Sequence, residues 1–114
     1  MAPNTGVEYN SQLRRADAHF QAGRIDQSVE AIERSHSLNP DYVTMLVMRA
    51  GLFRIIGRPR DAQDSIRHLR RLEPVTSLDI FVARHLCRTN PAQSAPVVDA
   101  FRKVWDETPT ECGT

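Results

Sequence analysis

The stretch GRIDQSVEAIERSHSLNPDYVTMLVMRAGLFRIIGRPRDAQDSIRHLRRLEP, residues 23–74, decides the fold because the same order of glycine, leucine and proline positions occurs in it twice. The matched residues lie 34 positions apart, here and just upstream: Gly23-Arg24 with Gly57-Arg58, Leu38 with Leu72, Pro40 with Pro74, Ile32 with Ile66, and Ala16 with Ala50. Self-similarity with a period of about 34 residues is typical of proteins built from repeated helical hairpins.

Glycine and proline explain where the helices should bend and stop. Gly23 and Gly57 can adopt the positive φ that closes the C-terminal end of a helix. Pro40 and Pro74 lack the backbone N–H and restrict the preceding residue, so each should end the second helix of its hairpin. Pro59 falls in the first turn of the next helix, where a missing N–H costs little. These glycine and proline positions therefore predict two helix–turn–helix units.

Apolar residues at helical spacing predict six helices. These are expected at residues 11–21, 25–37, 41–56, 59–72 and 76–87, with the last running from Pro91 or Ser94 to Trp105. Residues 1–10 are predicted to be a flexible N-terminus, 11–106 the repeat domain and 107–114 a frayed C-terminus. In the fourth helix the residues expected to face inward are Ala62, Ile66, Leu69 and Leu72. Those expected to face solvent are Arg67, His68, Arg70 and Arg71.

The third unit departs from the pattern, because Pro91 stands one repeat period after Gly57, where a turn glycine is expected. Two starts of the last helix remain open. If Asn90 caps it, Pro96 lies in the second turn and should kink the helix; if Ser94 caps it, Pro96 lies in the first turn and costs little. The last helix is also more apolar than the end of a repeat array should be. An exposed remainder of that face predicts a homodimer or a hetero-complex.

From Leu13 to Trp105 the chain resembles the tetratricopeptide family. Small residues occupy positions where the two helices of a family hairpin cross, namely Ala16, Ala50 and Ala62, whereas Ser28 stands where an alanine is usual. The resemblance implies an all-α, right-handed superhelix of about three helix–turn–helix hairpins, with six helices and a degenerate last unit. It also implies a non-catalytic scaffold whose concave groove, lined by the first helix of each unit, binds a partner protein or peptide.

A narrower resemblance concerns the turns between units. The steps Leu38-Asn39-Pro40, Leu72-Glu73-Pro74 and Asn90-Pro91-Ala92 are similar to the C-terminal repeats of certain bacterial class III adenylate cyclases and winged-helix regulators. The catalytic or DNA-binding part of those proteins lies upstream, so this resemblance implies a detached regulatory tail. Residues 94–96 depart from that pattern.

Composition and spacing argue against several function classes. Fifteen Lys and Arg residues against 14 Asp and Glu give a net charge of +1, which argues against binding a nucleic acid through bulk charge. No apolar run suggests a signal peptide or a membrane span, so a cytoplasmic protein is expected. Cys87 and Cys112 form no close pair and the four histidines lack ligand spacing, so neither a metal nor a cofactor is predicted. Cys87 near His85 could be a nucleophile, but packing as a small hydrophobic residue is the favoured alternative.

The constant repeat period stacks equivalent positions of the first helices into rows. The predicted groove residues are Leu13, Val47 and Phe81 in one row, Asp17 and His85 (with Gly51) in a second, and Phe20, Arg54 and Arg88 in a third. Ordinary core packing is the alternative for the first row. For Arg54 and Arg88, one repeat apart, the choice is between a fork that binds a peptide carboxylate and two solvated arginines.

Three functions therefore remain open. The first is a protein–protein interaction module, and the second is a small secretion-type chaperone that holds an export substrate. The third is a detached tail of a cyclase-like protein. No constellation of residues predicts an enzyme.

Overall fold

The computed structural model describes residues 5–86 and 91–109, which form only helices, turns and loops. The helices are α1 (Thr5–Gln21), α2 (Ile25–Leu38), α3 (Val43–Ile55), α4 (Pro59–Leu72), α5 (Leu78–His85) and α6 (Pro91–Glu107). The predicted all-α fold of helical hairpins is confirmed. The chain divides into two compact units, one up to Met45 and one from Leu46.

Helix boundaries differ from the predicted ones mainly at the N-terminal ends. Helix α1 begins at Thr5, so residues 5–10, predicted to be flexible, are helical. Helix α5 begins at Leu78 rather than Thr76, because Ser77 is its N-cap and accepts a hydrogen bond from the Ile80 N–H at 3.3 Å. Helix α6 begins at Pro91, so of the two starts the earlier one is observed, and Pro96 lies inside the helix.

The first unit contains the α1–α2 hairpin, which bends at Gly23. Gly23 has a φ of 79°. Its N–H donates to the carbonyl of Phe20 at 3.0 Å, and the N–H of Arg24 donates to the carbonyl of His19 at 2.8 Å. This pair of hydrogen bonds is the Schellman motif, which satisfies the last carbonyls of a helix and needs a left-handed residue. The predicted role of Gly23 is confirmed.

Two buried serines of α2 hold the two helices of the first unit together. The Ser28 hydroxyl donates to the Ala16 carbonyl at 2.7 Å, and the Ser35 hydroxyl donates to the Tyr9 carbonyl at 2.9 Å. The ring of Tyr9 packs edge-on against that of Tyr42, with centroids 4.6 Å apart. Ser28 thus adds a hydrogen bond at a helix crossing where an alanine would only pack closely.

In the second unit the α3–α4 hairpin repeats the bend of the first. Gly57 has a φ of 82°, and Arg58 donates its N–H to the carbonyl of Phe53 at 2.8 Å. The guanidinium of Arg49, a largely buried side chain, donates to the carbonyl of Asp61 at 3.1 Å and to the hydroxyl of Ser65 at 2.7 Å. A long polar side chain therefore connects α3 to α4 where the first unit uses serines.

Helix α6 packs on three helices of the second unit. Its Phe101 lies edge-on against Phe81 of α5, with centroids 6.4 Å apart. Its Val97 reaches Gly51 of α3 so closely that a Cβ at Gly51 would lie 2.7 Å from Val97 Cγ1. Its C-terminal end accepts hydrogen bonds from the side chains of Gln63 and Arg70 of α4. Gly51 is therefore needed for the approach of two helices, a usual reason for a glycine inside a helix.

Candidate partner-binding surface

The first predicted row lies in the hydrophobic core. Leu13 is 4% exposed, and Val47 and Phe81 are fully buried. Of the two interpretations of this row, ordinary core packing therefore agrees with the burial. A partner that leaves the helices in place would not reach these three side chains.

The other predicted positions show varied environments. Asp17 accepts a hydrogen bond from the Gln21 side chain at 3.4 Å, within α1. Phe20 is half-buried. The ring of His85 lies 6.3 Å from that of Phe81, one helical turn away in α5. Arg88 lies outside the described residues.

Arg54 is the predicted groove residue with the most specific environment. Its Nε donates to Glu107 Oε1 at 2.9 Å, and its Nη2 donates to Oε2 at 2.8 Å. This is the bidentate fork in which a guanidinium binds a carboxylate. The two side chains are 34% and 42% exposed. The carboxylate-binding geometry expected of Arg54 is present, and a residue of the same chain provides the carboxylate.

The ion pair shifts the pKa values of both groups away from neutrality. The hydrogen bond from Arg54 lowers the pKa of Glu107, and the nearby charge of Lys103 lowers it further. The hydrogen bond to Glu107 raises the pKa of Arg54, and Asp99 adds a smaller contribution in the same direction. Both groups are therefore charged at neutral pH.

Two further side chains of α4 bind the C-terminal end of α6. Arg70 donates to the carbonyls of Trp105, Thr108 and Pro109 at 3.1, 2.8 and 3.1 Å, and its guanidinium lies 4.5 Å from the centre of the Trp105 ring. Gln63 donates to the Glu107 carbonyl at 3.3 Å. We call Arg54, Gln63 and Arg70 the α6-end cluster.

The α6-end cluster corrects two predictions. Arg70 is predicted to face solvent, but its guanidinium instead binds carbonyls at the C-terminal end of α6. A cation is favourable there because the last carbonyls of a helix lack partners within the helix. Residues 107–114 were expected to be frayed, but Glu107 belongs to α6 and Thr108 is 3% exposed, with its hydroxyl donating to the Val104 carbonyl at 2.6 Å. Residues 110–114 lie outside the described residues.

Most of the apolar face of α6 is used within its own unit. Val97, Phe101 and Val104 are buried, whereas Val98 and Trp105 are half-buried. Val98 and Trp105 are therefore among the described apolar side chains of α6 that stay partly exposed. Apolar side chains with greater exposure lie around the α4–α5 turn, where Leu72 is 38% exposed and Val75 is 95% exposed. The prediction that Leu72 faces inward is therefore wrong.

Sequence reasoning missed Glu107, Gln63 and Arg70, because their contacts join residues that are far apart in the chain. One signal was available for the helix that covers α3. Gly51 stands between apolar residues inside a helix, where glycine costs about 1 kcal/mol relative to alanine. A cost of that size points to a close neighbour at Gly51.

Comparison with protein-family models, with curated proteins and with solved structures found no match for the chain. Within residues 5–86 and 91–109, no three His, Cys, Asp or Glu side chains are grouped so that they could hold a metal ion. None of the helices in these ranges has the length and apolar character needed to cross a membrane.

Proposed function

We propose that the chain is a non-catalytic protein-binding module of the tetratricopeptide type, which holds a partner protein or peptide against its helical hairpins. The observation that carries the proposal is the repetition of one hairpin bend. Gly23 and Gly57, one repeat period apart, have nearly equal positive φ values and the same pair of hydrogen bonds to the preceding helix. Repeated hairpins of this kind present extended surfaces for binding other proteins.

The helix crossings support the same proposal. Ala16 and Ser28 in the first hairpin, and Ala50 and Ala62 at the equivalent positions of the second, are all fully buried. Small residues at both crossings let the paired helices approach closely. Either feature alone is common in helical proteins, but agreement of both at positions 34 residues apart is what a repeat predicts.

Arg54 is the side chain we propose for a polar contact with the partner. It is partly exposed and has the bidentate geometry that recognises carboxylates. Exposed apolar residues such as Ile55, which is 41% exposed on the same helix, would supply a nonpolar part of the contact.

Affinity capture from a lysate of the source organism, followed by mass spectrometry, tests the proposal. The wild-type chain is compared with Arg54→Gln and with the matched control Arg34→Gln. Arg34 also forms an exposed ion pair, with Glu30 at 3.6 Å, but it lies on the second helix of its hairpin. We expect one partner to be captured by the wild type and the control and to be reduced with Arg54→Gln.

Retention of no protein beyond that bound by empty resin would contradict the proposal. Capture that is equal for all three chains would place the contact away from Arg54. A small partner that co-purifies in equal amount would favour the secretion-chaperone form of the same function.

A further inference from the structure

Arg54 has hydrogen-bonding capacity that the described residues do not use. A guanidinium has five N–H donors, and Glu107 accepts from two of them, on the edge formed by Nε and Nη2. No other acceptor among the described residues contacts this side chain. Its Nη1 donors are therefore available to a ligand or to water.

Contacts other than that of the Glu107 carboxylate also hold α6 in position. Val97, Phe101 and Val104 anchor the helix through buried contacts, and Arg70 binds the main chain at its C-terminal end. Because the Arg54–Glu107 pair is partly exposed, water screens it and its carboxylate can be exchanged at small cost. Neutralising Glu107 would free Arg54 and leave the helix in place.

Local charge decides the kind of ligand. Asp99 and Lys103 are the other charged side chains that act on the Arg54–Glu107 pair, and they form an ion pair with each other at 3.1 Å within α6. The formal charges of these two pairs sum to zero while Glu107 is ionised. Without the charge of Glu107 the sum becomes +1, and the free group is a guanidinium fork suited to a carboxylate.

We propose that Glu107 is an internal competitor that occupies Arg54 until a carboxylate of an acidic partner peptide replaces it. This inference rests on the proposed function, because it assigns to Arg54 the partner contact of that function. It adds that affinity for an acidic segment is limited by a carboxylate of the chain itself. The partner class is thus an acidic peptide, with an Asp or Glu side chain or a C-terminal carboxylate at the contact.

Fluorescence anisotropy at low ionic strength, with fluorescein-labelled tetraglutamate as the probe, tests this proposal, and labelled tetraglutamine controls for charge. The chains are the wild type, Glu107→Gln, Arg54→Gln and the matched control Asp79→Asn. Asp79 forms an exposed ion pair with Arg102 of α6 at 2.9 Å, so its removal loosens another contact of α6 without freeing Arg54. Amide chemical shifts of residues 50–56 and 101–109 locate the bound probe.

We expect Glu107→Gln to bind tetraglutamate about 1.5- to 5-fold more tightly than the wild type, the range that corresponds to loss of an exposed ion pair. Asp79→Asn should match the wild type, and Arg54→Gln should lose the binding that maps to α3 and α6. Equal affinity of the wild type and Glu107→Gln would overturn the proposal, as would an equal gain with Asp79→Asn. Absence of probe binding to Glu107→Gln would also overturn it. The protein-binding function would still stand if lysate capture identified a partner.

Discussion

Replacing Gly51 by alanine tests the close approach of α3 and α6. The new Cβ would lie 2.7 Å from Val97 Cγ1 and 2.9 Å from the Val97 carbonyl oxygen. Carbon atoms in contact prefer separations of about 3.5–4.0 Å, so one of the two helices must move by roughly 1 Å. Because one of the two contacts is backbone, rotation of the Val97 side chain cannot relieve both.

The magnitude follows from two opposing effects. Overpacking a tight contact costs about 1–3 kcal/mol, whereas alanine in place of glycine inside a helix contributes about 1 kcal/mol. We therefore expect Gly51→Ala to lower the free energy of unfolding by up to about 2 kcal/mol, in place of the gain of about 1 kcal/mol that alanine would bring without the contact. Adding Val97→Ala removes the Cγ1 clash but leaves the carbonyl clash, so in that background Gly51→Ala should cost less than it does in the wild type but should not give the full gain expected of alanine.

Urea unfolding followed by the fluorescence of Trp105, the single tryptophan and a residue of α6, reports on this part of the chain. Ala83→Gly, at an exposed position in α5, calibrates helix propensity in the same unit and should cost about 1 kcal/mol. If Gly51→Ala instead stabilised the protein by the amount that Ala83→Gly destabilises it, only helix propensity would be operating. The inferred contact between α3 and α6 would then be wrong.

Four further results are expected. Gly23→Ala and Gly57→Ala should each cost about 1–2 kcal/mol in urea unfolding, because an L-residue is strained at positive φ; a clear inequality would argue against equivalent bends. Leu46→Ala, at a 1% exposed side chain, should cost about 2–5 kcal/mol by the same assay, and a near-neutral result would contradict its burial. Arg70→Met should cost about 1–2 kcal/mol through lost hydrogen bonds to carbonyls, with amide exchange of residues 105–109 accelerated; unchanged exchange would refute this role. The pKa of Glu107 is lower in the folded state, so its ion pair stabilises the protein fully above the unfolded pKa of about 4.3. This stabilisation is lost as the pH falls through the folded-state pKa. In urea unfolding on acidification, Glu107→Gln should therefore lose less stability than the wild type, and equal losses would count against the ion pair.

The bends could be predicted from the sequence because their chemistry is local. A glycine that takes positive φ, followed by a residue whose N–H reaches back five positions, closes a helix whatever packs against it. Gly23 and Gly57 satisfy this condition by residue type alone, and their separation by one period of the matched positions reveals the repeat. Pro40 and Pro74 likewise mark the ends of α2 and α4 through their missing N–H groups.

The partners of α6 could not be predicted in the same way. Arg54 and Glu107 are 53 residues apart, and no pattern along the chain distinguishes this pair from many other arginine–carboxylate pairs. Arg70 lies in the last turn of α4 on a face that carries other arginines, so periodicity placed it in solvent. Its actual partners are carbonyls at the end of another helix, and only tertiary packing brings them within reach. Polar contacts between residues far apart in the chain therefore cannot be predicted from the pattern of residues alone.

The short fifth helix explains why α6 occupies a face of α3. At about 1.5 Å per residue, α5 with 8 residues is about 12 Å long, whereas α3 with 13 is about 20 Å and α6 with 17 is about 25 Å. A first helix that short cannot cover the preceding hairpin, and an uncovered apolar face is unfavourable in water. The longer α6 provides the cover through Val97 at Gly51 and Phe101 at Phe81. Its C-terminal end then reaches Arg54, so the same helix that completes the core also brings a carboxylate to the predicted binding residue.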